Sequence, residues 1–334
     1  QSESLDALAD DATVVDLPPF GAADIADYLR IVRAREASAM EVADLLAATG
    51  GNPMYLAELV RHPSLDEAAR SGGLTDVLRR RVNELSGRQR LVVATAAVLG
   101  DGARIDEVAA TIGCAPAEVI ATIDERRSGA FLDGTEIRFT HDLLRDVFAS
   151  VLPVTDLHQL HAAAVEAIVG NNSEQTVRRA RHAVAAATMS AEHRDRAITA
   201  CVAAVQMLTA DLAFERAATW AATGSTLAAA TSRADTQAEL LLLQAGAVLA
   251  CGRLAEARDL YGRAVAPAEH AAAPSLLATA ALGLGGMWVE EQRDELSRRR
   301  MLQLCSRAIS ELGPDEATLR SLLAVRLAAE RAYD

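Results

Sequence analysis

Between Pro153 and Asp334 the sequence carries helical periodicity in segments of roughly 12–20 residues, broken by short turns and without strand-like alternation. Helices joined by short breaks fold back on one another as hairpins, and hairpins in series bury a continuous core only by stacking on their neighbours. The clearest unit is Leu243 to Ala264, LQAGAVLACGRLAEARDLYGRA. Gly252 stands where a tetratricopeptide repeat has its turn, and Ala257, Tyr261 and Ala264 stand at its small-large-small packing positions. Hydrophobic residues make up 51% of the chain and aromatics only 3%. Much of the apolar share is alanine, which favours helix and lets helices approach closely. This half of the chain reads as a tetratricopeptide-like α-solenoid over residues 154–334.

The first half reads differently. Thr13 to Leu17, TVVDL, is a β-branched run closed by Pro18 and Pro19, a strand whose sheet would lie in a domain outside this segment. Helices are predicted over Ala22 to Val32 and Ala39 to Ala48, and a third opens at Asn52. Gly50 and Gly51 end the second helix, Asn52 caps the third, and Pro53 takes its first turn, where a missing N–H costs nothing. Further on, Ser86 and Gln89 form a capping box for a helix reaching about Leu99. Ile105 to Ile112, a turn at Gly113, and Pro116 to Arg127 have helix-turn-helix form, and Ala130 to Phe139 centred on Asp133-Gly134 reads as a two-stranded wing. Thr140 caps a helix whose Leu144, Val147, Phe148 and Val151 make one apolar stripe. The fold class is therefore mainly α: a helical lid (19–72), a winged-helix domain with a small β-hairpin (73–153), and the repeats. Residues 1–18 read as the end of a nucleotide-binding domain.

Several activities are excluded by what the residues lack. All 33 basic residues are arginine. A phosphate-binding loop of the form G-x-x-x-x-G-K-[ST] needs a lysine, so this segment alone is not expected to hydrolyse ATP or to act as an enzyme. The formal charge of −13 disfavours both nucleic acid and anionic membrane as direct partners. Cys114, Cys201, Cys251 and Cys305 are scattered and form neither a zinc motif nor a disulfide framework, which fits free thiols in a reducing cytoplasm. The first residues lack the features of a secretion signal, and the longest apolar run, Leu91 to Gly100, is too short to span a bilayer. The absence of an initiating methionine reads as an excised segment. His158 and His161 share a helical face without a third metal ligand nearby, and Arg79–Arg81 and Arg298–Arg300 read as solvated helix faces. No metal site and no catalytic triad is inferred.

Three stretches resemble one family: GGNPMYLAEL at Gly50 to Leu59, RFTHDLLRDVF at Arg138 to Phe148, and the closing repeat around Gly313 to Tyr333. They are similar to the STAND class of P-loop signalling ATPases, in particular the large bacterial ATP-binding regulators that carry LuxR-type DNA-binding domains or nucleotide cyclases. In that family a G-x-P motif of the lid rests its proline on the adenine of the bound nucleotide, and Gly51, Asn52 and Pro53 match it. The family's M-H-D motif contacts the terminal phosphate of ADP through its histidine. Here Thr140-His141-Asp142 matches with threonine in first place. His141 at a helix N-terminus suits phosphate, because free N–H groups and the helix dipole favour anions there.

The resemblance implies a regulatory segment. Its lid and winged helix would clamp ADP or ATP against the upstream nucleotide-binding domain, and its repeats would sense an inducer or a partner protein. ADP or ATP would be held by the complete protein, not tightly by this segment, and homo-oligomers would be compatible with that role. Two other readings stand beside it. One is a repeat scaffold binding proteins without nucleotide control. The other is DNA binding by the winged helix, whose candidate recognition helix carries Glu118, Asp124 and Glu125 against Arg126 and Arg127.

Overall fold

A computed structural model of the chain describes residues 17–61, 82–100, 102–123, 129–139, 142–286 and 295–332. The strand expected at Thr13 to Leu17 lies outside the described residues except for Leu17, and Arg79–Arg81, Thr140 and His141 lie outside them entirely. The described chain is mainly helical. Among the described residues no helix is long and apolar enough to cross a membrane.

Three helices open it: α1 (Ala22–Arg33), α2 (Ala39–Thr49) and α3 (Pro53–Arg61). Their apolar positions recur at helical spacing and meet in one core of Ile25, Leu29, Val42, Leu45, Leu56, Leu59 and Val60, with Phe20 and Tyr28 packed at its margin. The Ser38 hydroxyl caps α2 by accepting from the Glu41 amide. Glu41 then takes both Arg33 and Arg35, which ties the end of α1 to the start of α2.

Next come α4 (Gly87–Leu99), β1 (Ala103–Arg104), α5 (Ile105–Ile112), α6 (Pro116–Thr122), β2 (Ala130–Asp133), β3 (Glu136–Phe139) and α7 (Asp142–Ser150). The capping box at Ser86 forms: the Gln89 amide donates to the Ser86 hydroxyl, and the Ser86 amide donates to the Gln89 side chain. The two strands expected around Asp133-Gly134 form a hairpin, and a two-residue strand that the sequence did not signal joins it, giving the order β1-β3-β2. α6 is described as far as Thr122, and the stretch from Asp124 to the Arg127 expected from the sequence lies outside the described residues. Over Pro116–Thr122 it buries Val119 and leaves Ile120 exposed. Of the predicted stripe, α7 buries Leu144, Val147 and Phe148, while Val151 lies just past the helix end and is half-buried; the Phe148 ring stands 6.1 Å from that of Phe139.

The remainder is a run of antiparallel helices: α8 (Val154–Ala167), α9 (Ser173–Ala186), α10 (Ala191–Ala210), α11 (Phe214–Ala230), α12 (Ala234–Ala250), α13 (Leu254–His270), α14 (Pro274–Gly285), α15 (Glu295–Glu311) and α16 (Ala317–Arg331). Each packs on the next, and α14 also packs on α12 and α16. Left-handed residues at Leu212, Ser232, Gly252 and Ala272 fall twenty residues apart and close four successive helices with one turn. At each, the following residue's N–H reaches back five positions: Ala213 to Leu208, Arg233 to Ala228, Arg253 to Val248 and Ala273 to Ala268, at 2.8 to 3.2 Å. These are Schellman-type ends.

The side chains follow the same period. Ala217, Gly224 and Ala228 recur forty residues on as Ala257, Ala264 and Ala268, and Ile198, Cys201 and Val205 recur as Ala238, Leu241 and Ala245, all buried. The hairpins are thus longer than the 34-residue tetratricopeptide unit by about one and a half helical turns. Small residues at these points set the helix spacing. A Cβ on Gly224 would lie 2.8 Å from the Cys201 Cβ, and one on Gly283 would lie 2.3 Å from the Tyr261 ring.

By contact density the chain forms two compact units. One comprises Gln1–Ala97, Thr122–Asp133 and Ile137–Val151; the other comprises Val98–Ala121, Gly134–Glu136 and Leu152–Asp334. The second contains α5, which packs on α8.

Candidate functional site

The G-G-N-P turn between α2 and α3 is fixed by its own hydrogen bonds. Gly50 is left-handed at φ 58° and donates to the Leu46 carbonyl at 2.9 Å. The buried Thr49 hydroxyl donates to the Leu45 carbonyl and accepts the Gly51 amide. Gly51 is also left-handed, at φ 76°, and its carbonyl accepts the Phe20 amide at 2.7 Å. A Cβ on Gly51 would lie 2.3 Å from the Phe20 carbonyl oxygen, so glycine is required there for conformation and for space. Gly51 is buried, whereas Asn52 and Pro53 are exposed. The Asn52 side chain accepts the Tyr55 amide at 3.4 Å and its carbonyl accepts the Leu56 amide at 3.0 Å, which makes Asn52 the N-cap that the sequence predicts. The turn therefore presents a rigid pyrrolidine ring to solvent at the first turn of α3. Such a face suits stacking against a flat heteroaromatic ring.

Of the four residues singled out in the sequence, Gly51, Asn52 and Pro53 form this one turn. The fourth, His141, lies outside the described residues. Among the described residues before and after it in the sequence, Phe139 on β3 packs on Phe148 of α7, and Arg138 pairs with Asp133 across the hairpin at 2.9 Å.

Two polar clusters in the second unit were not foreseen. On α5, Glu107 is buried and receives both guanidinium N–H groups of Arg178 from α9, at 3.0 and 2.7 Å. This is a two-pronged, charge-assisted pair. One turn along α9 from Arg178, the buried His182 meets His161 of α8, with their Nδ1 atoms 2.7 Å apart. Burial holds both imidazoles below their ordinary pKa; His182 is lowered to about 3, with the His161 ring and the guanidinium groups of Arg178 and Arg181 adding to the effect of burial. Both rings are neutral, so one donates to the other. His161 is therefore half of a buried hydrogen bond. Its partner, twenty-one residues away, carried no sequence signal. Among the described residues no group of three or more His, Cys, Asp or Glu side chains is placed to hold a metal ion.

The Arg298–Arg300 run is also resolved. Arg298 is mostly buried and donates to the Glu330 carbonyl, and Arg299 pairs with Glu295 at 2.6 Å, so this run divides its roles instead of forming one solvated face. The nearly inaccessible Glu330 takes Arg326 at 2.6 Å, and Arg326 also donates to the carbonyls of Gly285 and Gly286 at the end of α14. Cys201 and Cys305 are buried, and burial pushes their thiols up to about 12 and about 11, well away from a reactive thiolate.

No family model matches the chain. No curated protein matches it either. Among solved structures it is similar to the crystal structure of the Signal Transduction ATPase with Numerous Domains (STAND) protein with a tetratricopeptide repeat sensor from Pyrococcus horikoshii. The identity is 11% and the TM-score 0.41, over 96% of this chain and 52% of that one. The chain thus spans about half the length of the protein it matches.

Proposed function

We propose that this chain is the regulatory and sensor portion of a nucleotide-switched bacterial signalling or transcriptional regulator that works in the cytoplasm. In this reading residues 19–72 are the lid, 73–153 the winged helix and 154–334 the sensor repeats. Lid and winged helix hold ADP against an upstream nucleotide-binding domain, and an inducer or partner protein on the repeats releases that clamp. The observation that carries the reading is the G-G-N-P turn: Gly51 is locked under Phe20 while Pro53 is left exposed at a helix start. A stacking contact needs that combination of rigidity and exposure. The motif RFTHDLLRDVF adds His141 as the phosphate contact.

The energetics divide the work. Moving such a switch from 1:99 to 99:1 takes about 5.5 kcal/mol of differential binding. A charge-assisted hydrogen bond from His141 supplies roughly 1.5–3 kcal/mol. The Pro53 contact and interdomain packing must supply the rest. The test is the ADP off-rate and reporter output of the complete protein carrying His141→Ala, with His158→Ala in parallel as a control. ADP release should quicken about tenfold or more for His141→Ala and stay unchanged for His158→Ala. A wild-type off-rate in a normally melting His141→Ala protein would remove the histidine from the switch.

A further inference from the structure

Along the repeats, helices two apart in the chain touch: α10 packs on α12, α12 on α14 and α14 on α16. No comparable packing joins α8 to α10 among the described residues, although both pack on α9. The gap between them is a cleft of about 500 Å³. Its three helices and the loops that join them all lie within the described residues of the second compact unit. α10 faces the cleft with Glu192, Asp195, Arg196, Thr199, Ala200 and Ala203, at i, i+3, i+4, i+7, i+8 and i+11, one stripe of that helix. Val165 and Glu166 line it from α8, and Thr176 and Arg179 from α9. Arg179 braces the structure. Its guanidinium donates to the Ile168 and Gly170 carbonyls at 3.2 and 2.6 Å, which fixes the end of α8 against α9.

Every charged side chain that lines the cleft already has a partner. Arg196 donates to Glu192 at 2.8 Å and to Glu166 of α8 at 3.4 Å, so one guanidinium links the two walls across the mouth. Asp195 accepts from Arg233 at 3.3 Å, and Arg179 is occupied by the two carbonyls. Glu166, Glu192 and Asp195 are thus matched by Arg179, Arg196 and Arg233, three charges of each sign. An ion entering here would give up its water and find no unpaired counter-charge, which is costly. The interior is apolar instead. Val165 and Ala200 pack on buried Ala183, Ala187 and Ala197, so the floor of the cleft is continuous with the core. An uncharged apolar body would gain from covering that floor without breaking an ion pair. A cleft of a few hundred cubic ångströms suits a small molecule.

We propose that the cleft between α8 and α10 binds a small uncharged molecule with an apolar body, beneath the Glu166–Arg196–Glu192 bridge. The assignment rests on the sensor reading only for its regulatory meaning. The binding is measured without nucleotide, and the ADP off-rate is measured without this ligand, so each claim fails separately. The experiment is saturation-transfer NMR titration of the full chain with cyclohexylmethanol, cyclohexanecarboxylate and cyclohexylmethylammonium, which share one body and differ in charge. The alcohol should bind at least about tenfold more tightly than either ion. Ala203 is half-buried on the cleft stripe, so Ala203→Leu fills the space with a good helix former and should weaken the alcohol at least about tenfold. Thr226→Leu, an exposed position on α11 outside the cleft, should leave it unchanged. Arg196→Met removes the cation shared by Glu166 and Glu192, and should raise the affinity for the ammonium relative to the alcohol roughly two- to fivefold. Thermal melting verifies that the variants fold. No binding of the alcohol by the wild type, equally tight binding of either ion, wild-type binding by a normally melting Ala203→Leu chain, or an unchanged ammonium-to-alcohol ratio in Arg196→Met would each overturn the proposal.

Discussion

At Gly50 an added Cβ would meet nothing within 4 Å, whereas at Gly51, one residue on and also left-handed, it would sit against the Phe20 carbonyl. The two glycines thus separate conformational strain from steric conflict. Gly50→Ala should cost about 1–2 kcal/mol, the left-handed penalty of an L-residue, and Gly51→Ala at least about 1 kcal/mol more, because a backbone atom must move. Urea denaturation followed by circular dichroism reads both, and equal costs would mean that Phe20 does not close over the turn. The histidine pair gives a second residue-scale expectation. His182 falls from an ordinary 6.5 to about 3 in the fold, and His161 is lowered in the same direction, so between those values the unfolded chain takes up protons that the folded chain refuses. The stability is complete above about pH 6.5 and is lost as pH falls. Its slope is roughly 1.4 kcal/mol per pH unit for each proton involved. Chemical denaturation from pH 7 to 5 should show this decline, and His182→Gln should flatten it; an unchanged slope in that variant would place the pH dependence elsewhere.

Four turns between the repeat helices share one hydrogen-bonding pattern, yet only Gly252 has the residue that the left-handed position favours. Leu212, Ser232 and Ala272 hold the same conformation at a cost of about 1–2 kcal/mol each. Ser232→Gly and Ala272→Gly should therefore each stabilise the chain, by roughly 0.5–1 kcal/mol once glycine's greater freedom in the unfolded state is set against the relieved strain. Gly252→Ala should do the reverse. Thermal melting of the three variants decides it, and a lower melting temperature for Ala272→Gly would contradict the strain argument. The same contrast governs what could be read in advance. The Gly252 turn and its small-large-small helix were legible because glycine marks a helix end, while the other three turns are spelled with Leu, Ser and Ala. The forty-residue period of buried small residues lies in the sequence too, but alanine is so common here that the period shows only once burial separates the packed alanines from the exposed ones.

On the scale of the chain, the formal charge of −13 and the missing lysine set expectations for the isolated segment. It should give no salt-dependent shift with duplex DNA at physiological ionic strength, because a net negative surface gains nothing from counterion release. Calorimetry should likewise find no sub-micromolar affinity for ADP or ATP, since in the proposed reading Pro53 and His141 would supply only the rim of a nucleotide site. A nanomolar DNA complex would favour the winged-helix DNA reading, and tight ADP binding would mean that the phosphate site lies in this chain.

Local rules were enough for most of the helices, the hairpin at Asp133-Gly134, the Ser86 capping box and the G-G-N-P turn, because each depends on residues a few positions apart: a hydroxyl beside an amide, a glycine where φ is positive, a proline without an N–H. Glu107 with Arg178, His161 with His182, and the short strand Ala103–Arg104 beside β3 were decided by the tertiary structure. A carboxylate at position 107 looks like a surface charge until an arginine seventy-one residues away arrives to compensate it. A lone histidine looks solvated until another helix closes over it.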